Sequence, residues 1–264
     1  MVRGPDPRLV EENDMNEHKG RIASAFSAQA DVYDAAADLQ WLVAEHLSDQ
    51  ITARIKKAPE RVLEIGCGTG FLSARLAEAF PETRLLLTDI APTMLSRCRT
   101  RVGNRHDYKV LDGERPEGLV GKFDLIASNL AFQWFVDLPG ALARLAELLA
   151  PGGQMIFSTL GQATFTEWRR AHQTLDLACG TPTYPTPEEF PWPAAPFEHD
   201  HAEEMILHPY ADGRDFVNSL KLLGASEPAP GYRPLSPGAM RRLLASLEHG
   251  FEATYHVIYG EVRR

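Results

Sequence analysis

The sequence predicts an α/β fold: a mostly parallel, seven-stranded, Rossmann-like sheet with helices on both faces, an N-terminal helical cap and a proline-rich lid insertion. Three observations predict it. Apolar strand-like runs alternate with helix-like runs across residues 58–160, the rhythm of right-handed β-α-β units. Those runs are apolar at nearly every position, as a sheet buried on both faces requires. The first ends in glycines: Val62 to Gly70 reads Val-Leu-Glu-Ile-Gly-Cys-Gly-Thr-Gly, and a helical stretch follows at once. Strand, glycine turn and helix make the first unit of a nucleotide-binding α/β domain.

Each element follows in order. Residues 1 to about 17 are charged and poor in apolar side chains, so a loosely attached arm is expected. Ile22, Phe26, Gln29, Ala30 and Tyr33 recur at helical spacing, as do Leu39, Leu42, Val43, His46, Leu47 and Ile51; two helices precede the sheet. Strands are expected at Arg61 to Ile65, Arg84 to Thr88, Asp107 to Leu111, Phe123 to Ser128 and Met155 to Thr159. Helices are expected at Phe71 to Phe80, Thr93 to Arg101 and Leu138 to Leu149, the last closed by Pro151-Gly152-Gly153. Beyond Leu160 the rhythm changes. Phe165 to Leu177 is helical, and residues 181–196 hold six prolines in sixteen, which excludes regular helix or central strand. A strand at Glu203 to Tyr210, helices at Asp212 to Leu223 and Pro237 to His249, and a strand at Phe251 to Val262 complete the chain. The expected division is an arm and cap at 1–57, a binding core at 58–160, and the lid insertion with closing strands at 161–264.

Composition narrows the function. The chain has 264 residues, 44% hydrophobic and 24% charged, enough to bury roughly three quarters of its unfolded surface without staples. Three unpatterned cysteines fit a reducing, cytoplasmic compartment. Residues 1–20 lack an apolar signal core, and no run of 18 apolar residues occurs, so neither secretion nor a membrane span is expected. A net charge of −9 disfavours nucleic acid as a partner.

The glycine run sets the ligand. A pyrophosphate cradle prefers G-x-G-x-x-G; here Gly66, Cys67, Gly68 and Gly70 give G-x-G-x-G, with Glu64 two residues upstream. A carboxylate there repels a pyrophosphate and suits a cation. Asp89 lies 19 residues after Gly70, where an acid meets a ribose diol in such folds; its alternative is a helix N-cap before Ala91-Pro92. Ile90 and Met94 then flank the base, and Met94 reads equally well as core. Asp112-Gly113-Glu114 follows the third strand, a turn signal that is compatible with a ligand contact. Asn129 ends the fourth strand, where ligands of open α/β sheets collect. Gln133 and Trp134 follow it, and Trp134 reads as packing inward. Phe26 and Tyr33 share a face of the N-terminal helix, either a docking stripe or a wall over the ligand. Arg169 and Arg170 are a solvated face or a carboxylate site. His199-Asp200-His201 reads as a surface loop. Nothing at ligand spacing completes it, so no metal is expected.

The glycine motif resembles motif I of class I methyltransferases, whose cofactor S-adenosylmethionine carries a sulfonium and an ammonium and no phosphate. In that pattern the acid at Asp112 receives the adenine amino group. Most of the chain from Arg21 resembles the biotin-pathway malonyl-acyl-carrier-protein O-methyltransferases. The resemblance rests on Arg21-Ile22-Ala23, Phe26, Tyr33, Ala37-Asp38-Leu39-Gln40, Leu63 to Gly70, Ser128-Asn129-Leu130-Ala131 with Gln133-Trp134, Thr159-Leu160, Ser219-Leu220-Lys221 with Gly224-Ala225, and Thr254-Tyr255-His256 with Gly260. It implies methyl transfer to the free carboxylate of a malonyl thioester, on acyl carrier protein or coenzyme A. It also implies cofactor contacts at Phe26, Tyr33, Glu64, Gly66, Cys67, Gly68, Gly70, Asp89, Ile90, Met94, Asp112, Gly113, Glu114 and Asn129. The acceptor side falls to Tyr33, Gln133, Arg169 and Arg170. No general base is expected, because a carboxylate is already ionised at neutral pH. Phe132-Gln133-Trp134 also resembles the trans-aconitate methyltransferases, and a third resemblance is to mitochondrial complex I assembly factors. The absence of Asn/Asp-Pro-Pro-Tyr after the fourth strand points away from amine acceptors.

Overall fold

In the computed structural model, which describes residues 7–225, 227–229, 231–248 and 250–264, seven strands form one sheet. They are β1 (Arg61–Ile65), β2 (Arg84–Asp89), β3 (Asp107–Val110), β4 (Phe123–Asn129), β5 (Leu149–Leu160), β6 (Glu198–Tyr210) and β7 (Phe251–Arg263). Their order is β3-β2-β1-β4-β5-β7-β6. β1 to β5 run parallel, and β7 is antiparallel to both β5 and β6. The chain leaves β1 for β2 and β3 on one side and returns to β4 on the other. This reversal opens a crevice beyond the carboxyl ends of β1 and β4.

Alternate strand residues feed two cores. Val62, Leu125 and Ile156 face a large cluster with Leu47 and Ile51 of α2 (Asp38–Arg54), Leu72 and Leu76 of α3 (Phe71–Ala79), and Leu95 of α4 (Pro92–Val102). Leu63, Ile126 and Met155 face the opposite cluster with Leu142 and Leu145 of α5 (Leu138–Glu147). Four of the five β1 residues are buried, and this two-sided burial is why the strands read as continuous apolar runs.

Four expectations change. The helix expected from residue 20 begins earlier: α1 spans Pro7–Gln29, so much of the expected arm is helical, and residues 1–6 lie outside the described residues. Pro151-Gly152-Gly153 does not follow a helix but lies within β5, at a register shift between Phe123/Leu149 and Leu125/Gln154. Gly152 takes φ +77° there and donates its N–H to the Arg264 carbonyl; the glycines permit a bulge that a propensity reading takes for a stop. His199-Asp200-His201 belongs to β6, paired with β7 residues Val262, Glu261 and Gly260, and Trp192 stacks on His199 at 4.8 Å. The last helix starts at Pro237 and ends at Ala245 rather than reaching residue 249, which is outside the described residues.

The proline-rich stretch has no regular structure yet is packed. Phe190 stacks on Phe157 of β5 at 5.5 Å, and Trp192 packs against the same ring, tilted, at 6.0 Å. Its two flanks are α6 (Thr166–Thr174) on one side and β6 on the other, with α7 (Gly213–Leu222) and α8 (Pro237–Ala245) following in the chain.

Candidate active site

The glycine loop crosses the top of β1 in a conformation few residues tolerate. Gly66, Gly68 and Gly70 have φ of +68°, +54° and +94°, and a Cβ on Gly66 would stand 2.5 Å from that of Ala131. The loop is pinned from β2: Asp89 Oδ2 accepts the Gly68 N–H at 2.9 Å and Oδ1 accepts the Ala91 N–H at 2.8 Å. Asp89 therefore caps its own following turn and braces the loop as well. Its burial pushes the carboxyl up to about 6, against the pull of the Ala91, Gly68 and Ile90 N–H groups.

Around this loop lies an open cavity. It brings together Phe26, Tyr33, Glu64, Gly66, Cys67, Gly68, Asp89, Ile90, Met94, Asp112, Gly113, Glu114 and Asn129. Gly70 sits just beyond, at the N-cap of α3. Met94 is buried among Ala30 and Ala91 against Phe26 and Tyr33, so it is both packing and wall. Glu64 is buried and accepts the Ser73 hydroxyl at 2.7 Å; burial holds its carboxyl well above the usual range. Glu114 has a framework job: its oxygens accept the Val136 and Asp137 N–H groups at 2.8 and 2.9 Å.

Four carboxylates and one cation, Lys19, line the cavity. Lys19 is matched to Asp112 at 2.8 Å and Glu114 at 3.2 Å. Such a wall repels phosphates and accommodates a sulfonium with an ammonium. The residues present fit S-adenosylmethionine.

A second, smaller cavity adjoins the first and shares Phe26, Tyr33, Gln40, Leu130 and Trp134 with it. Leu39, Leu160, Phe165, Leu220, Leu223, Gln133, Tyr184 and Tyr255 complete most of its wall. Among the described residues, this lining contains no acid, lysine, arginine or histidine. Gln133 donates Nε2–H to the Leu130 carbonyl at 2.6 Å, and the Tyr255 hydroxyl meets that of Tyr210 at 2.7 Å. Burial, then Asp89 and Asp34, raises the Tyr33 phenol, so it stays protonated as a donor.

The two arginines fall elsewhere. Arg169 donates to the carbonyls of Thr164, Thr181 and Pro182 at 3.2, 3.4 and 2.6 Å, tying α6 to the proline-rich loop that carries Tyr184. Arg170 is exposed and lines neither cavity.

Sequence reasoning missed Lys19, Asp34, Thr69, Arg101 and the outward role of Trp134. Lys19, Ile22 and Phe26 stand at i, i+3 and i+7, a signal that extends the N-terminal stripe one turn back. Trp134 does not pack into the core: it lies in a 3₁₀ turn (Phe132–Trp134), half-buried, with its ring edge-on to Phe26 at 5.4 Å between the cavities. Asp34, Thr69 and Arg101 are joined only by tertiary contact. Thr69 donates to Asp34 at 2.6 Å, Arg101 Nε donates to the Thr69 carbonyl at 2.9 Å, and the Arg101 guanidinium also meets Asp34.

Comparison with known proteins decides the family. The sequence signature of a methyltransferase domain matches residues 63–155. The malonyl-[acyl-carrier protein] O-methyltransferase of Magnetococcus marinus is 38% identical over 253 residues, covering 91% of each chain. The chain belongs to this family of O-methyltransferases. Its cofactor is S-adenosylmethionine. The biotin biosynthesis bifunctional protein of Bordetella avium is 40% identical over 244 residues, which are 92% of this chain and 52% of that one. The family's fold is also seen in a plantazolicin methyltransferase crystallised with S-adenosylhomocysteine, with a TM-score of 0.54 at 14% identity, covering 96% and 98% of the two chains. No helix among the described residues is long and apolar enough to cross a membrane. Nor does any described group of three or more His, Cys, Asp or Glu residues have the placement to hold a metal ion.

Proposed function

We propose that this enzyme esterifies the free carboxylate of a malonyl thioester in biotin precursor synthesis, taking malonyl acyl carrier protein ahead of malonyl coenzyme A, in the cytoplasm. The observation that carries the reading is the second cavity: apolar, without a fixed charge in its described lining, and sharing a wall with the cofactor cavity. Family membership supports the acceptor, since the Magnetococcus relative is named for malonyl acyl carrier protein. Residues 58–160 then serve as the binding core, 1–57 as the cap and 161–264 as the lid and closing strands.

When bound, S-adenosylmethionine supplies a methyl group activated by its sulfonium. In our reading the residues around it bind and orient. Asp89 receives the ribose hydroxyls, Ile90 and Met94 flank the adenine, and Asp112 beside Gly113 faces the adenine amino group. Glu64 and the glycine loop serve the charged end. Tyr33 and Gln133 border the acceptor. No base is required, because the acceptor carboxylate is ionised at neutral pH. Phe26, Trp134 and Tyr33 keep water from it, which strengthens its reactivity. Arg169 acts at one remove, by holding the Tyr184 loop. A small tricarboxylate such as trans-aconitate is the second reading. It would place further charges against an apolar wall, which is costly without partners.

An acceptor panel with radiolabelled methyl donor tests the proposal. Malonyl acyl carrier protein is expected to be labelled, malonyl coenzyme A more slowly, and trans-aconitate not at all; efficient trans-aconitate labelling with inert malonyl thioesters overturns it. A pH dependence follows from Asp89. The ionised form is the one that accepts hydroxyl protons, and below about 6 the free protein holds it protonated. The dissociation constant for S-adenosylhomocysteine is therefore expected to rise about ten-fold between pH 7 and pH 5, measured by titration calorimetry. A flat profile would separate Asp89 from the ligand.

A further inference from the structure

Gln40 lies in the first turn of α2, and its position is set by the sheet. Its backbone carbonyl accepts Asn129 Nδ2–H at 3.1 Å, while Asn129 Oδ1 accepts the Ser158 hydroxyl at 2.8 Å. Gln40 is thereby fixed to the ends of β4 and β5. Gln40 lines both cavities, and its amide oxygen is buried without a hydrogen-bond partner. A buried polar atom left unpaired is destabilising, and native proteins keep few of them. Because Gln40 lines a cavity, a small turn of its carboxamide brings this unpaired group to what the cavity holds.

The chemistry of the second cavity says what that is. A carboxylate there has no described cation to meet, so uncharged N–H and O–H groups must hold it. Gln133 gives one Nε2–H to the Leu130 carbonyl and lines only the second cavity, and Tyr255 is engaged with Tyr210. Of the side chains common to both cavities, Tyr33 and Gln40 offer donors that can reach the boundary, with the Trp134 indole beside them. A carboxamide turns about its last torsion between two nearly isosteric settings, presenting oxygen or N–H to the same point. Neutral donors also suit the reaction. The acceptor's charge disappears as the ester forms, so a fixed cation would stabilise the ground state more than the transition state.

Building on the acceptor proposed above, we infer that Gln40 is an acceptor-binding residue: its carboxamide N–H holds the substrate carboxylate at the boundary of the two cavities. Its partner in this is the Tyr33 hydroxyl.

The test begins with wild-type enzyme and malonyl acyl carrier protein. Absence of turnover there defeats the acceptor reading itself, and with it an inference about that acceptor. With turnover established, Gln40→Leu is expected to lower kcat/KM for the acceptor about ten- to hundred-fold, the loss of a hydrogen bond to a charged group. The melting temperature should hold or rise, because an unpaired polar atom is removed, and affinity for S-adenosylhomocysteine should stay within about two-fold. Gln40→Glu separates the signs: a carboxylate beside the acceptor's own should cost more than leucine does, while S-adenosylmethionine binding holds. Unchanged acceptor kinetics in both variants overturn the inference. So does a loss confined to cofactor affinity, or a Gln40→Glu variant that handles the acceptor better than Gln40→Leu.

Discussion

Asp89→Ala is expected to raise the dissociation constant for S-adenosylhomocysteine by roughly two orders of magnitude, the loss of two charge-assisted hydrogen bonds to a ribose. The effect is large because Asp89 acts twice. Besides facing the proposed ribose site, it accepts the Gly68 and Ala91 N–H groups, so alanine also releases the glycine loop from β2. Folding stability should move much less. The carboxyl is shifted from 3.8 to about 6 by burial, so at neutral pH its ionisation opposes folding by about 3 kcal/mol. A carboxyl raised in the folded state contributes its stability below the unfolded value and loses it as pH rises through about 6. Removing the side chain relieves that cost at neutral pH while forfeiting the two backbone bonds. Calorimetry checks the affinity and a thermal melt the stability. Retained affinity in Asp89→Ala would leave Asp89 as a cap alone.

Asp89 also shows which parts of the site are legible in the sequence. The glycine loop, Glu64 and Asp89 were readable because one β-α-β unit of roughly thirty residues carries them, and local backbone demands fix their spacing. β1, β2, β4 and β5 were readable because two-sided burial writes itself as apolar runs. The β5 bulge was not, since Pro-Gly-Gly has the same local signature whether it ends a helix or bends a strand. β6 was expected to start at residue 203, yet pairing with β7 extends it back to Glu198. An edge strand with exposed His199, Asp200 and His201 carries no hydrophobic alternation to announce it. Lys19 was missed for a different reason: charge density in residues 1–17 suggested an arm, although its spacing to Ile22 and Phe26 is helical. Gln40 sat inside a recognised motif, but its value lies in an unpaired atom, which only packing reveals.

The clasp between Asp34, Thr69 and Arg101 is the least local feature, and it ties the turn that carries Tyr33, a residue of both cavity walls, to the glycine loop. Asp34 lies in the 3₁₀ turn Tyr33–Ala35 that joins the cap helices, Thr69 in the glycine loop and Arg101 near the end of α4. Closing the turn on the loop puts Tyr33 over the boundary of the cavities. Exposure decides how much each contact is worth. Arg101 and Asp34 are 32% and 49% exposed, so their ion pair alone contributes about 0–1 kcal/mol. The Thr69 hydroxyl is buried, and its bond to Asp34 adds about 1 kcal/mol. Asp34→Ala removes both and is expected to open the cap about ten-fold more often. Amide hydrogen exchange over residues 21–36 should rise accordingly, S-adenosylhomocysteine should dissociate faster, and kcat/KM should fall about ten-fold as water reaches the acceptor. Asp31 supplies the control. It pairs with Arg97 on the same side of the cap but is 81% exposed, so Asp31→Ala should leave exchange and turnover unchanged. Equal effects of the two variants would mean that surface charge, not the clasp, holds the cap down.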